Sequence, residues 1–545
     1  MSSSSSSSAF RRELEGRQTD PAGRRWLFVP YDQLSDSVGP LAREAPEELG
    51  IVVVESPSKG ARRPYHRQKL ALLLANLRHF ALEQAARGVS VHHVVSPGGY
   101  ADALAPLVRE RGPFRMMEAA ERELRADLAP LVVKGGLEIL PHEGWLTTRE
   151  DFEKGAGPSP PWRMDAFYRQ VRKRTGILME NGKPEGGKYS FDAENREAWK
   201  GDPPAAILPI FPLDPVKEEV VALVEERFGN HPGVLQPDAL PATLPDVEAL
   251  WEWALEACLP RFGPFEDAMS VDSRTLFHTR VSGLLNLLRI TPQRLLEDVL
   301  ALDISLASRE GFVRQLLGWR EFVRHVHRAT DGFRQIPGWE EVPERDGGAA
   351  PSFLGAKEAL PEAFWGTPSG LHCLDHVVEG VWEEGYGHHI TRLMVISNLA
   401  TLLDVDPRAL TDWFWVAYTD AFDWVVEPNV LAMGTFAVGD LMTTKPYVSG
   451  TPYIRKMSDF CGACALDPED SCPVSDLYWA FLERHRTRLE GNRRLALPLA
   501  SARRRDDARK ASDARVFEAV RKRLAAGEAV TPEVVRGARG REDSP

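Results

Sequence analysis

Four of the five cysteines are placed to do chemistry. Cys461, Cys464 and Cys472 stand together near the C-terminus, Pro473 follows the last of them, and Cys373 lies far upstream. The pattern C-x₂-C-x₇-C-P plus one distant thiol can bring four thiolates into one soft, electron-rich cage. Such a cage holds an iron–sulfur cluster or a structural zinc. Zinc ribbons bring two close pairs rather than three plus one, and Cys-Pro recurs at clusters. The spacing therefore favours a cluster, with zinc and unliganded buried thiols as alternatives. The fifth, Cys258, sits among the apolar residues of Trp251–Leu259 and reads as core.

Charge in apolar surroundings is the next signal. Arg392 falls in an apolar helical stretch three residues after His389. A buried guanidinium needs a carboxylate, since an unpaired buried charge costs several kcal/mol. Asp420, in an equally apolar stretch, is the natural partner, whether the pair is structural or part of a site. His388 and His389 are adjacent, so on a helix they diverge by about 100° and at most one faces a given site. Histidine changes charge near neutral pH and suits proton transfer, although a lone helical histidine is more often structural.

The whole chain bounds these readings. Its 545 residues suffice for two or three domains and a large core. Five cysteines in that length do not make a disulfide framework, and no apolar run is long enough to span a bilayer. MSSSSSSSAFRRELEGRQ lacks the apolar core of a signal peptide and reads as a disordered tail, so the reducing cytoplasm is the expected compartment. A net charge of −12 argues against wholesale nucleic-acid binding but not against a local basic face. Arg484–Lys510 is such a stretch, though beyond Arg503 it reads as a solvated helix and tail.

The elements that must position these groups fall into regions. Residues 1–23 are the tail. Residues 24–150 alternate apolar runs (Trp26–Val29, Ile51–Val54, Val89–Val95, Leu137–Leu140) with helical patterns (Leu70–Arg87, Ala101–Arg111), which predicts an α/β domain with a parallel sheet. Residues 151–245 are rich in Gly, Pro and charge and read as a long connection with short helices. Residues 246–500 are helical almost throughout. Residues 501–545 are charged and small and read as partly disordered.

In the helical half the motifs become specific. Gly318–Arg324 (GWREFVR), Tyr386–Met394 (YGHHITRLM), Trp424–Met433 (WVVEPNVLAM), Lys445–Tyr447 (KPY), Tyr453–Cys461 (YIRKMSDFC) and Cys472–Trp479 (CPVSDLYW) resemble strings of the cryptochrome/photolyase family. Within it they resemble the bacterial iron–sulfur, or prokaryotic (6-4), photolyases. Gly186–Arg196 (GGKYSFDAENR) matches the family's linker signature, and Tyr31–Leu34 (YDQL) is similar to its GDQL. The similarity runs over residues 26 to 500.

That resemblance implies an α/β antenna-type domain, a linker, and an all-α domain that binds FAD. It implies a 4Fe–4S cluster on Cys373, Cys461, Cys464 and Cys472. Arg392 and Asp420 correspond to a pair against the flavin ring, where they favour reduced, anionic flavin. Thr279, Ser282 and Asn286 resemble the segment that holds the flavin's phosphates. Gln315, Trp319 and Arg320 resemble lining residues, and Val426 and Asn429 belong to the string beside the flavin N5 edge. His389 corresponds to the active-site histidine, with His388 beside it. Tyr447 and Tyr453 match lesion-pocket tyrosines, and Glu321 matches a lesion-facing acid. Trp365 and Trp413 match tryptophans that relay electrons to photoexcited flavin. Asp32 and Glu55 match a pocket for a ribityllumazine antenna.

Some positions depart from the family. Val426 stands where an acid partners the flavin, with Glu427 displaced by one. His325-Val326-His327-Arg328 replaces Gly-Ile-Tyr-Trp, which removes two aromatics expected near the lesion. Phe414 replaces a tyrosine, Phe436–Asp440 (FAVGD) replaces FADGG, and Pro30-Tyr31 replaces an apolar-Gly pair. Lys59 stands where a lumazine-contacting Glu is expected. The reading is a light-driven DNA photolyase acting on (6-4) photoproducts, with UV-damaged DNA as partner, no membrane partner and a monomeric state. The alternative is a cryptochrome-like blue-light receptor that keeps FAD and the cluster, and a light-independent flavin or nucleic-acid-binding module is a third option.

Overall fold

The computed structural model describes residues 8–540. Its sheet comprises β1 (Arg25–Phe28), β2 (Leu49–Glu55), β3 (Ser90–Val95), β4 (Phe114–Met117) and β5 (Leu137–Leu140), in the order β3-β2-β1-β4-β5. Every adjacent pair is parallel. All seven residues of β2 are buried, because helices cover both faces of a parallel sheet and leave no solvated side. Between the strands run α2 (Arg67–Ala86), α3 (Tyr100–Arg111) and α4 (Arg122–Val133). Strand order reverses between β1 and β4, so a crevice opens beyond their carboxyl ends.

The sequence missed β4. Its four residues, FRMM, carry an arginine and two weak strand formers, and only the parallel partners on either side make a strand of it.

The N-terminal reading of 1–23 as a disordered tail is corrected over the described part. α1 (Ala9–Gly16) buries Phe10 and Leu14, spaced i,i+4 on one face. Phe10 meets His93 edge-on at 4.9 Å, and Ser8 donates to Glu219 at 2.7 Å. Two apolar residues among so many charges were too few to read as a helix from sequence. The C-terminal expectation is corrected likewise. α7 (Asp507–Ala525) packs on α6 (Val474–Arg484), and α8 (Pro532–Arg539) packs on α7. The disorder expected for residues 1–7 and 541–545 lies outside the described residues.

Residues 151–245 carry more structure than a connection needs: α5 (Pro215–Phe228) packs on α2 as part of the sheet's helical layer. The rest of the chain is a helical assembly. Besides a short one at Ala254–Cys258, three widened, i→i+5 turns lie in its helices, at Arg314–Arg320, Thr391–Ser397 and Glu427–Gly434. Such turns recur at functional sites because they re-aim side chains. All three border the same cavity. Among the described residues no helix is long and apolar enough to cross a membrane.

Candidate functional site

That cavity lies within the helical region and has a volume of about 330 Å³. Every residue that the motifs assigned to the flavin lines it: Thr279, Ser282, Asn286, Gln315, Trp319, Arg320, Arg392, Asp420, Val426 and Asn429. One wall is an ion pair. Arg392 Nη1 and Nη2 donate to Asp420 Oδ1 and Oδ2 at 2.9 and 3.0 Å, and Arg392 Nε donates to Gly387 O at 2.6 Å. Burial pushes the Asp420 carboxyl up, but the Arg392 charge and hydrogen bonds hold it below its ordinary value. Ser282 Oγ adds a bond to Asp420 at 2.7 Å, and Asn286 holds the Asp420 carbonyl at 2.9 Å. The wall is thus a fixed ion pair, with Arg392 the positive charge it offers to an anionic or electron-rich planar ligand.

His388 and His389 both border the cavity. The His278 ring stacks on His388 at 4.3 Å and meets His389 edge-on at 5.4 Å. Burial holds His278 and His388 well below their ordinary pKa, so both are neutral. His389 is the exposed member, with a side chain 40% accessible and Nε2 3.7 Å from Asp267 Oδ1. Tyr453 Oη reaches the same carboxylate at 3.4 Å. Tyr447 and Tyr453 lie outside the cavity wall, half-buried, and share Arg196 and Asp192 of the linker signature as charged neighbours. Sequence reasoning missed His278 and Asp267. The string LFHTR offered a signal for the first, and nothing distinguishes Asp267 among so many surface acids.

Two expectations for this region are corrected. Glu321 faces the core, fully buried, with Oε2 accepting from Thr147 N and Oγ1 at 3.0 and 2.6 Å. It pins the α/β region to the helices and faces no lesion. His325 and His327, expected near the lesion side in place of two aromatics, are buried in the core. His325 stacks on Phe152 and meets Thr147 at 2.9 Å. His327 Nε2 lies 2.9 Å from Glu427 Oε2, and Arg408 donates to Glu427 Oε1 at 2.8 Å. The displaced acid Glu427 therefore belongs to a buried His327–Glu427–Arg408 chain, while Val426 presents a hydrocarbon wall to the cavity.

Behind Phe414, on the cavity wall, lies a row of indoles. Trp413 touches Phe414 and Tyr418. Trp382 meets Trp413 edge-on at 5.9 Å, and Trp365 stacks on Trp382 at 5.4 Å. Trp365 is 39% exposed. Trp382 is the link the sequence did not supply.

The four cysteines of the spacing motif border one small cavity, with Leu371, Thr451, Ile454, Phe460, Leu466 and Val474 around them. Among the described residues the one group of three with all ligand atoms within 4.8 Å is His278, His388 and His389. Four soft thiol donors around one cavity are a donor set for a zinc ion or an iron–sulfur cluster. Thr451 Oγ1 lies 3.3 Å from Cys472 Sγ.

The crevice at the sheet's carboxyl edge holds a second cavity, of about 80 Å³. Tyr31, Lys59 and Glu121 fill it: Lys59 Nζ lies 2.6 Å from both Tyr31 Oη and Glu121 Oε2, and Tyr31 donates to Glu121. Glu55 is engaged by Arg78 at 2.7 and 3.0 Å and by His93 at 3.0 Å. Asp32 is off the cavity wall, buried with neither carboxylate oxygen hydrogen-bonded, and desolvation pushes its pKa up to about 6. Ligand pockets run to about 300–1,000 Å³. Purified protein is therefore expected to carry no ribityllumazine. Pigment extraction tests this, and one equivalent per chain contradicts it.

The fold and site have counterparts among known proteins. Residues 27–240 match the family model described as deoxyribodipyrimidine photo-lyase-related protein. A (6-4) photolyase of Agrobacterium fabrum is 31% identical over 505 residues, covering 89% of this chain and 96% of that one. An uncharacterized protein of Acanthamoeba polyphaga mimivirus, R855, is 33% identical over 104 residues, 19% of this chain and 81% of the other. A crystal structure of a bacterial class III photolyase from Agrobacterium tumefaciens matches with a TM-score of 0.55 at 16% identity, over 93% of this chain and 99% of that one, a likeness of fold. The chain belongs to the cryptochrome/photolyase family, in its group of bacterial (6-4) photolyases.

Proposed function

We propose that the protein repairs (6-4) pyrimidine photoproducts in DNA under blue light, with FAD in the large cavity. The observation that carries this is the convergence of Arg392, Asp420, Thr279, Ser282, Asn286, Gln315, Trp319, Arg320, Val426 and Asn429 on one cavity with His389 at its exposed rim. Reduced FAD, when bound there, supplies an electron on absorbing light. The chain's own residues do the rest. Arg392, locked by Asp420, presents positive charge to an electron-rich ring. Val426 and Val430 exclude water from the adjoining wall. The photoproduct flips out of a duplex it already weakens, and Tyr453, Tyr447 and Arg196 stand near the rim to receive it. His389, with Asp267 behind Nε2, gives the photoproduct its proton. The neutral His278–His388 stack limits the positive charge packed against that imidazole.

Trp365, Trp382 and Trp413 carry electrons inward from the surface to recharge the site. The thiol cavity holds a 4Fe–4S cluster on Cys373, Cys461, Cys464 and Cys472. Cys461→Ser is expected to lose iron, whereas Cys258→Ser, whose thiol is buried beneath the His278 carbonyl, keeps it. Iron and acid-labile sulfide assays on purified protein decide this: about four of each per chain is the expected result. Stoichiometric zinc without sulfide contradicts it.

A second reading, a blue-light receptor without efficient repair, draws on Val426, which offers no acceptor where the family has an acid. Val426→Glu separates the two: restoring the acceptor improves repair in a photolyase and creates none in a receptor.

A further inference from the structure

The segment beyond residue 525 bonds to both stretches of chain that carry the thiol site. Val516, Val520 and Leu524 of α7 are buried, and the chain then turns back toward the cysteines. Val530 N donates to Ser369 O at 2.8 Å. Ser369 and Gly370 lie just before Cys373, and their N–H groups are held by Asp375 at 2.8 and 3.2 Å. Gly370 has φ +80°, and a Cβ there would lie 2.1 Å from Val530 O. Only glycine permits both the conformation and the approach. α8 then crosses to the other cysteine segment. Arg539 Nη2 donates to Cys472 O at 2.9 Å and to Asp476 Oδ2 at 2.5 Å. Arg539 Nη1 reaches the Asp470 carbonyl, and Arg536 Nε donates to Asp470 Oδ2 at 2.7 Å. Val535 is fully buried and Ala538 packs on the core, so α8 is seated by apolar contact as well as by charge.

We propose that residues 530–539 form a strap that ties the Cys373 segment to the Cys472 loop, and that the thiol site retains its metal only while the strap is closed. The first part stands on the contacts above. The second rests on the cluster reading. Cys373 and Cys472 come from distant parts of the chain, and the strap is a bridge that bonds to both. The Arg539 side chain is 14% exposed and its charge is met by Asp476, so what it brings to the site is its bond to the Cys472 carbonyl. Arg539 is thus a positioning residue, acting through the Cys472 backbone rather than on the metal. The short spacing between Val530 and Arg539 keeps the two anchors mechanically coupled. Loosening either one frees both cysteine segments.

The test uses full-length, FAD-loaded protein with Arg539→Ala, Arg539→Lys and Gly370→Ala. Iron release to an external chelator is followed by absorbance, FAD is quantified in the same sample, and amide hydrogen exchange is read over residues 369–375 and 464–476. Outer-shell partners of metal ligands are worth 10–100-fold in affinity. Arg539→Ala and Gly370→Ala are expected to speed iron release by about tenfold, and Arg539→Lys by less. Exchange rises in both segments together, while FAD stays bound. Unchanged release and exchange in Arg539→Ala overturns the strap. A wild type without iron or sulfide instead refutes the cluster reading, and the exchange arm then decides the strap alone: coupled rises in both segments support it, and a rise in one segment only, or in neither, overturns it.

Discussion

Replacing Trp382 with phenylalanine is expected to slow light-driven reduction of bound, oxidised FAD by about tenfold or more, since a barrier only about 1.4 kcal/mol higher already costs tenfold. A phenyl ring resists oxidation far more strongly than an indole. Trp382 bridges Trp413, at 5.9 Å, and the exposed Trp365, at 5.4 Å. Its other neighbour is His66, stacked at 5.9 Å and held neutral because burial lowers its pKa to about 4. His66 therefore adds no positive charge against that indole. The competing rows are different. Trp145 touches Trp424 on the cavity wall at 5.1 Å, but Arg320 and Arg324 lie over the Trp145 face at 4.1 and 4.5 Å. Arg63 lies over Trp415 at 4.0 Å. A cation above an aromatic face stabilises the neutral ring and penalises removal of an electron from it. Trp413→Phe is thus expected to match Trp382→Phe, while Trp145→Phe and Trp415→Phe photoreduce near the wild-type rate. Absorbance under steady blue light with one external donor measures all four. Wild-type photoreduction in Trp382→Phe would falsify the relay.

The relay also shows where sequence reading stops. Trp365 and Trp413 were legible only through the family resemblance, which matches each to a relay tryptophan, but Trp382 is one of many tryptophans in helical sequence. Only the packing of 372–384 against 407–417 brings it between them. The Arg392–Asp420 pair was legible from charge alone, because buried Arg392 demanded an acid and Asp420 was available, whereas the other residues of that cavity were legible only through the resemblance. The thiol site was legible from spacing, whereas its strap was not: small, charged residues in 501–545 read as tail until α6 supplies a surface for them. Glu321, His325 and His327 misled for a related reason. Arg320 and Val323 of the same helix border the cavity, but the side chains of Glu321, His325 and His327 turn toward Thr147, Phe152 and Glu427. Local periodicity does not say which side of a helix faces a cavity and which faces another domain.

The second large effect concerns the proton. His389→Ala is expected to lower repair by about 10²–10⁴-fold, the usual worth of a positioned general acid. FAD content and photoreduction stay near wild type, because His389 stands at the rim and takes no part in the Arg392–Asp420 wall. Asp267→Asn is expected to produce a smaller loss in the same direction, with substrate binding less affected than turnover. Turnover of a defined lesion oligonucleotide, with FAD and photoreduction measured on the same preparations, reads these effects. Equal repair by wild type and His389→Ala removes His389 from the chemistry.

The most direct measurement is repair itself. Reduced, FAD-loaded protein is mixed with oligonucleotides carrying a single (6-4) photoproduct or a single cyclobutane dimer and exposed to blue light, with dark controls. Light-dependent restoration of the (6-4) strand, absent in the dark, lost in His389→Ala and increased in Val426→Glu, is the predicted result. Protein that binds FAD and photoreduces it normally yet restores no (6-4) lesion, in the wild type or in Val426→Glu, contradicts the account and leaves a light receptor in its place.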